Sequence, residues 1–233
     1  MMDRRHFALA AASVVAAAQA PPAMAAKPPP TWDNLVRVKS KKLDYVYLLP
    51  GADFREYRKV MIDPTEIAFK KNWLKDYNNT TTGLSTRLSE RDVQEAITKG
   101  SQAATEILTE AFSEGGYPVV TEPGPDVLRL RTGVVNISVS APEINMAGRS
   151  RSFSQEAGYA TLIVEARDSV SGALLGRAVD GKVAGDNSML MRTSVSNRAD
   201  FRQIMKRWAT LSVKGLSELK AVSPINDQGA PQG

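Results

Sequence analysis

The sequence predicts an α+β protein, an antiparallel sheet of four to five strands with two helices packed on one face, in the order β-α-β-β-β-α. Three observations carry that expectation. Apolar residues recur at helical spacing after Ser89, residues 159–167 alternate strictly before a turn, and a second helical set runs from Phe201 to Leu219. The chain has 233 residues, of which 42% are hydrophobic and 24% charged. That is ordinary globular composition, which sets one folded domain as the default and excludes a multi-span membrane protein.

In chain order, residues 1–25 read as a cleaved export signal. Arg4, Arg5 and His6 open it, an apolar run fills residues 8–18, and Ala23-Met24-Ala25 offers small residues for cleavage before Ala26. The apolar run is shorter than the ~20 residues that span a bilayer. Arg4-Arg5 followed by Phe7 resembles a twin-arginine leader, with ordinary Sec export as the alternative. Pro28-Pro29-Pro30 begins a Pro-rich linker and extended lead-in over residues 26–56, ahead of a single domain over 57–222.

Residues 59–69 are rich in β formers but interrupted by Pro64, so they read as a strand at a sheet edge or carrying a bulge. Residues 70–88 read as a polar loop. Ser89 with Asp92 three residues on marks a helix start, and Val93, Ala96, Ile97, Ala103, Ala104, Ile107, Leu108, Ala111 and Phe112 form its apolar face until Gly115-Gly116. In residues 127–139 the apolar parity changes near Gly133, which predicts a β-bulge there. Residues 159–167 and 174–183, joined by Asp168-Ser169-Val170-Ser171-Gly172, predict an antiparallel hairpin. Connections over 142–156 and 184–197 are long and polar, and residues 223–233 read as a disordered tail.

The absences are as informative as the pattern. There is no Cys, and the one His lies in the leader, so the mature chain offers no thiol nucleophile, imidazole base, disulfide or His or Cys metal ligand. No phosphate-cradling glycine loop or Gly-x-Ser-x-Gly elbow occurs. A net charge of +5 without a concentrated basic stripe argues against nucleic acid as a partner. The carboxylates Asp63, Glu66, Asp168 and Asp180 could in principle serve acid/base chemistry, yet each has a local explanation, Asp168 as a turn residue bonding its own backbone. Arg149, Arg151 and Phe153 form a small basic loop suited to an acidic polymer or headgroup. Met189 and Met191 offer either thioethers or a loop anchor, the latter being the plainer account. No cofactor, metal or catalytic residue is expected.

Several segments together are similar to a known family. They are Tyr57-Arg58-Lys59-Val60-Met61-Ile62-Asp63-Pro64, Trp73, Leu88-Ser89-Glu90-Arg91-Asp92, Gly116-Tyr117-Pro118-Val119-Val120, Pro123-Gly124-Pro125-Asp126-Val127-Leu128-Arg129-Leu130-Arg131, Glu165-Ala166-Arg167-Asp168-Ser169 through Gly172-Ala173-Leu174-Leu175, and Arg207-Trp208-Ala209. They resemble an uncharacterised bacterial family described as lipoproteins, domain of unknown function family 3313. The resemblance implies an envelope location and brings no catalytic residues with it. Members carry a lipid-modified Cys at the end of the signal; this sequence has none, which implies a soluble periplasmic form without a lipid anchor.

The sequence therefore predicts an exported periplasmic protein that is no enzyme. It would bind another envelope component, protein or cell-wall polymer, through its sheet edge or its two long loops, residues 70–88 and 184–197, with no membrane span after cleavage. A carboxylate-based cell-wall hydrolase and a carrier of small molecules or lipids, with a pocket between sheet and helices, are the alternatives. Replacing both Arg4 and Arg5 by Lys is expected to leave the precursor in the cytoplasm on fractionation; normal export of that variant would assign the leader to the Sec route.

Overall fold

A computed structural model of the chain describes residues 28–81, 87–139, 152–154, 158–184, 190–192 and 194–226. The expected leader, residues 1–25, lies outside them. Ten strands and three helices follow in order: β1 (Thr31–Trp32), β2 (Leu35–Val38), β3 (Tyr45–Leu48), β4 (Lys59–Ile62), β5 (Glu66–Phe69), α1 (Trp73–Thr80), α2 (Glu90–Glu114), β6 (Val127–Val139), β7 (Ser152–Ser154), β8 (Gly158–Asp168), β9 (Leu174–Ala184), β10 (Leu190–Arg192) and α3 (Ser194–Val222).

Eight of these strands form one sheet in the order β1-β2-β3-β9-β8-β6-β4, with β5 also on β6, and β7 and β10 make a separate two-stranded ladder. The expected antiparallel sheet of four to five strands with two helices is thus incorrect: the sheet is mixed, larger, and accompanied by three helices. Two physical causes account for the difference. The segment read as an extended lead-in supplies β1, β2 and β3. A two-residue turn with positive φ at Asp33 and Asn34 closes the first hairpin, and β3 then pairs with β9. At the other edge β4 and β5 both run parallel to β6, because the chain leaves β5 through α1 and α2 before returning to the sheet. Sequence order alone does not reveal such a crossover.

Pro64 breaks the edge strand into β4 and β5, as the missing amide requires. The polar groups exposed at the break are met by α2. Thr65 N donates to Thr105 Oγ1 at 2.9 Å, Ser101 Oγ donates to Thr65 O at 2.7 Å, and the buried Thr65 and Thr132 hydroxyls bond at 2.8 Å. This network also explains the displaced bulge. Thr132 points inward beside Leu128, Leu130 and Val134, so the parity expected to change at Gly133 persists past it. Gly133 pairs regularly with Ile163. The register shifts between Val135 and Ser138, where Asn136 adopts φ 55° and β6 carries one residue more than β8. A polar residue in a core position had disguised the alternation.

The α2 start follows the sequence. Ser89 Oγ accepts from Asp92 N, and the Asp92 carboxylate accepts from Ser89 N at 2.8 Å, a capping box. Residues 70–88, expected as a loop, hold α1, whose Trp73 stacks on Phe69 at 4.5 Å and on Tyr77 at 5.7 Å. The hairpin of β8 and β9 forms as expected, with Ser171 N donating to Asp168 Oδ1 in the turn. Residues 223–226 of the expected tail are held against the domain: Ile225 is 0% exposed, donates to Ala52 O and accepts from Gly51 N, and residues 227–233 lie outside the described residues.

The core lies between one sheet face and the helices α2 and α3. Leu128, Leu130, Val134, Ile137, Ala160 and Leu162 of the sheet meet Ile107, Leu108 and Phe112 of α2 and Met205, Trp208, Ala209 and Leu216 of α3. At its centre Asp180 on β9 is 1% exposed. Its carboxylate accepts from Trp208 Nε1 at 2.8 Å and from Asp44 N at 3.2 Å, and pairs with Lys182 Nζ at 2.9 Å. Asp180→Ala leaves the buried indole N–H and the Lys182 ammonium without their acceptor. It is expected to cost about 3 kcal/mol in urea unfolding, with Asp180→Asn, which keeps an acceptor for the indole, costing less.

Candidate functional site

A concavity of about 480 Å³ opens between α2, α3 and the β5–β6 side of the sheet. Its deep wall comes from Ala104, Ile107, Val134, Ile137 and Met205, all core residues. Helix α2 presents Val93, Ala96, Gly100 and Ala103 to it, spaced at three and four residues and therefore on one helical face. These side chains are too small to fill the space between the helix and the sheet. A Cβ at Gly100 would touch the Ile67 side chain at 3.6 Å, an ordinary van der Waals contact, so the helix approaches β5 closely at this glycine. Phe69 and Trp73 close one side, and Phe201 with Arg198 and Arg202 lines the α3 side. Lys99 and Asp92 complete the polar rim, Asp92 being the only carboxylate among the described lining residues.

A second concavity of about 330 Å³ lies toward the C-terminal end of α3. Val38, Leu43, Val46, Phe54 and Leu219 line it, and the Lys42–Glu218 ion pair sits at its edge.

The opposite sheet face carries a polar ladder. Glu165 Oε1 accepts from Arg177 Nη2 at 2.7 Å and its Oε2 accepts from Arg167 Nη2 at 2.8 Å. Arg177 also pairs with Asp33 at 2.8 Å and lies 4.1 Å over the Trp32 ring, which packs edge-on to Tyr47. Burial pulls the Glu165 carboxyl upward, but the hydrogen bonds from Arg177 and Arg167 outweigh it and hold the group below its ordinary value. Asp168 is likewise lowered, chiefly by the Ser171 hydroxyl, with Tyr57 Oη donating to its other oxygen at 3.0 Å.

The four carboxylates weighed from sequence are all engaged, and the two that come together, Asp63 and Glu66, share Arg131 between them. Asp63 accepts from Arg129 Nε at 2.9 Å and lies near Arg131, which also pairs with Glu66. Asp168 is bound within its turn and to Tyr57, and Asp180 is bound in the core. Among the described residues no group of three or more Asp, Glu or His is placed to hold a metal ion.

Of the binding residues expected from sequence, Arg149, Arg151 and Met189 lie outside the described residues. Phe153 and Met191 fall on β7 and β10 and stand directly opposite one another in that ladder, so two connections that the sequence keeps apart are joined through their backbones. The 480 Å³ cavity was not foreseen in its residues. Its signal was a glycine in the middle of a 25-residue helix, flanked at helical spacing by alanines on the face that should have been bulkiest.

Fold and site together define a two-layer protein, a mixed sheet with helices on one face and an apolar cavity between the layers. The family model for "Protein of unknown function (DUF3313)" matches residues 30–212, and the chain belongs to that family. No curated protein matches the chain. Among solved structures, the PelC dodecamer from Paraburkholderia phytofirmans is similar at 13% identity and a TM-score of 0.32, covering 70% of this chain and 96% of that one. XCC0632 from Xanthomonas campestris is similar at 13% identity and a TM-score of 0.35, covering 72% and 86%. A protein from Caulobacter crescentus described as a candidate lipoprotein is similar at 14% identity and a TM-score of 0.26, covering 53% and 82%. At these TM-scores the likeness carries no conclusion about activity, partner or assembly. No helix among the described residues is long and apolar enough to cross a membrane.

The lowered Glu165 carboxyl fixes a pH dependence. A carboxylate whose folded pKa is depressed stabilises the fold fully above the ordinary glutamate value of 4.5 and loses that contribution as pH falls below it toward the folded value. Urea midpoints are therefore expected to drop between pH 5 and pH 3. Glu165→Gln is expected to cost about 3 kcal/mol at pH 7, because it leaves the buried Arg177 only the exposed Asp33 as an ion-pair partner, and to lie closer to wild type at pH 3.

Proposed function

We propose that the protein is a non-enzymatic binding module, exported to the periplasm, that holds a small apolar or amphipathic molecule in the cavity between α2, α3 and the sheet. The cavity itself carries the reading. At about 480 Å³ it falls within the size range of small-molecule sites, and its interior is apolar with polar groups confined to the rim. The four acidic residues considered for hydrolysis support the non-catalytic part of the proposal, since each is held by arginine, lysine, tryptophan, tyrosine or its own turn. The charged and apolar organisation of residues 1–25 supports export. This replaces the sheet edge as the leading binding surface. The outer edge of β4 is already engaged by Val60 N donating to Pro118 O and Val120 N donating to Val60 O.

Gentle isolation from the periplasm followed by native mass spectrometry tests the proposal. The expected spectrum shows a bound species of small-molecule mass that is lost on denaturation and absent from Gly100→Leu, whose side chain would occupy the cavity. Leucine also favours the helix over glycine by about 1 kcal/mol, so this variant is not handicapped in forming α2. A spectrum of bare protein, together with no brightening of the apolar dye N-phenyl-1-naphthylamine, would overturn it.

A further inference from the structure

The second cavity, toward the C-terminal end of α3, has a floor of buried core residues, Leu48, Phe54, Phe112, Leu128 and Leu130. Its α3 wall contains Gly215, in the interior of that helix, where glycine is less favourable than alanine because it gives up more backbone freedom. Close packing is a common reason for such a glycine, and it does not apply here: a Cβ on Gly215 would meet nothing within 4 Å. Gly176, on the sheet side of the same cavity, is the opposite case, since a Cβ there would lie 3.1 Å from the Leu48 side chain. The space beside Gly215 is thus left empty by the described residues. The border of the cavity is cationic. The β2–β3 connection brings Lys39, Lys41 and Lys42 to it, in a turn where Ser40 Oγ accepts from Lys42 N at 3.2 Å and from Leu43 N at 3.1 Å. Lys42 pairs with Glu218 of α3, the one carboxylate among the described lining residues, and the Arg177 guanidinium is bound to Glu165 and Asp33. The ammonium groups of Lys39 and Lys41 have no hydrogen-bond or ion-pair partner among the described residues.

We infer that this cavity is a second binding site, taking one short acyl chain with an anionic head, the chain lying beside Gly215 over the apolar floor and the head meeting Lys39 and Lys41. The inference is independent of the reading given to the cavity between α2, α3 and the β5–β6 side of the sheet. A volume of about 330 Å³ is at the lower end of the range of small-molecule sites, which leaves room for one chain and not two. The chain contributes through the apolar area it removes from water. The head is selected by charge, because lysine ammonium groups are point charges on flexible stems and impose no planar geometry. The Lys42–Glu218 pair does not seal the site: its side chains are 45% and 60% exposed, and ion pairs so exposed contribute little.

Backbone NMR of the full mature chain, titrated with decanoate and in parallel with 1-decanol, tests the inference. Decanoate is expected to shift the amides of Ser40, Ser212 and Gly215 saturably, to bind more tightly than decanol and to weaken as salt is raised, while decanol is indifferent to salt. Lys39→Glu combined with Lys41→Glu is expected to weaken decanoate about tenfold at low salt and to leave decanol unchanged, whereas Lys39→Arg with Lys41→Arg keeps the affinity. Gly215→Leu is expected to abolish the shifts with both ligands. Ser212→Leu, at a residue whose hydroxyl donates only to Trp208 O of its own helix, repeats the block should the first variant lose its thermal transition. Gly100→Leu is expected to leave the shifts in place, which separates this site from the cavity of the proposed function. Decyl phosphate titrated beside decanoate identifies the head as phosphoryl or carboxylate by which binds more tightly. Equal binding of decanoate and decanol, or decanoate binding indifferent to the lysine reversal, overturns the inference. So does the absence of saturable shifts at Ser212 and Gly215, or shifts that survive both Gly215→Leu and Ser212→Leu.

Discussion

The hydrogen bond from the Trp208 indole to Asp180 fixes the position on which the rest of the architecture depends. A carboxylate removed from water in a protein core is tolerated only when its oxygens are met, and here the indole, the Lys182 ammonium and the Asp44 amide meet them. Apolar packing alone lets a helix slide along a sheet at small cost. A directional bond between a fixed strand residue and one helical residue does not. With Trp208 held against β9, the register of α3 is set, and so is the distance at which Phe201, Arg202 and Met205 stand from the sheet.

A second polar attachment does the same for α2. The broken edge at Pro64 leaves the Thr65 backbone without strand partners, and Ser101 and Thr105, one and five residues after Gly100, supply them. Both helices are therefore anchored by hydrogen bonds rather than by maximal apolar contact, and small residues on α2 can leave room without the layers collapsing onto one another. A cavity in a core ordinarily costs stability by the contacts its walls forgo. Here the walls are held apart by groups whose own burial demands that they keep their partners.

Much of this was legible in the chain before its structure. The Ser89–Asp92 pair marks the start of α2, the alternation of residues 159–167 and the Asp168 turn specify the central hairpin, and Pro64 announces a broken edge. Elements whose signal is local were recoverable. What was not recoverable depended on distant partners. The strands Leu35–Val38 and Tyr45–Leu48 are short and acquire their identity by pairing with β9, and the parallel direction of β4 and β5 is a property of the route through the helices. Thr132 reads as polar until Thr65 is placed beside it, which is why the bulge falls at Asn136 and not at Gly133. The cavity was hidden for a related reason: a missing side chain at Gly100 has meaning only once Ile67 is known to face it.

The clamp at Ile225 has a bearing on how the molecule is made. Its backbone joins Gly51 and Ala52, and the neighbouring Ser223 hydroxyl accepts from the Phe54 amide across 169 residues of chain. During synthesis β1, β2 and β3 emerge first, yet β3 has no partner on its inner side until β9 has been translated, and this corner stays open until Ile225 follows. Contacts of such separation form late, because loop closure must precede any gain from them. The nascent protein therefore carries an unpaired strand edge until β9 is translated, and the corner at Gly51–Ala52 is closed only once Ile225 has followed.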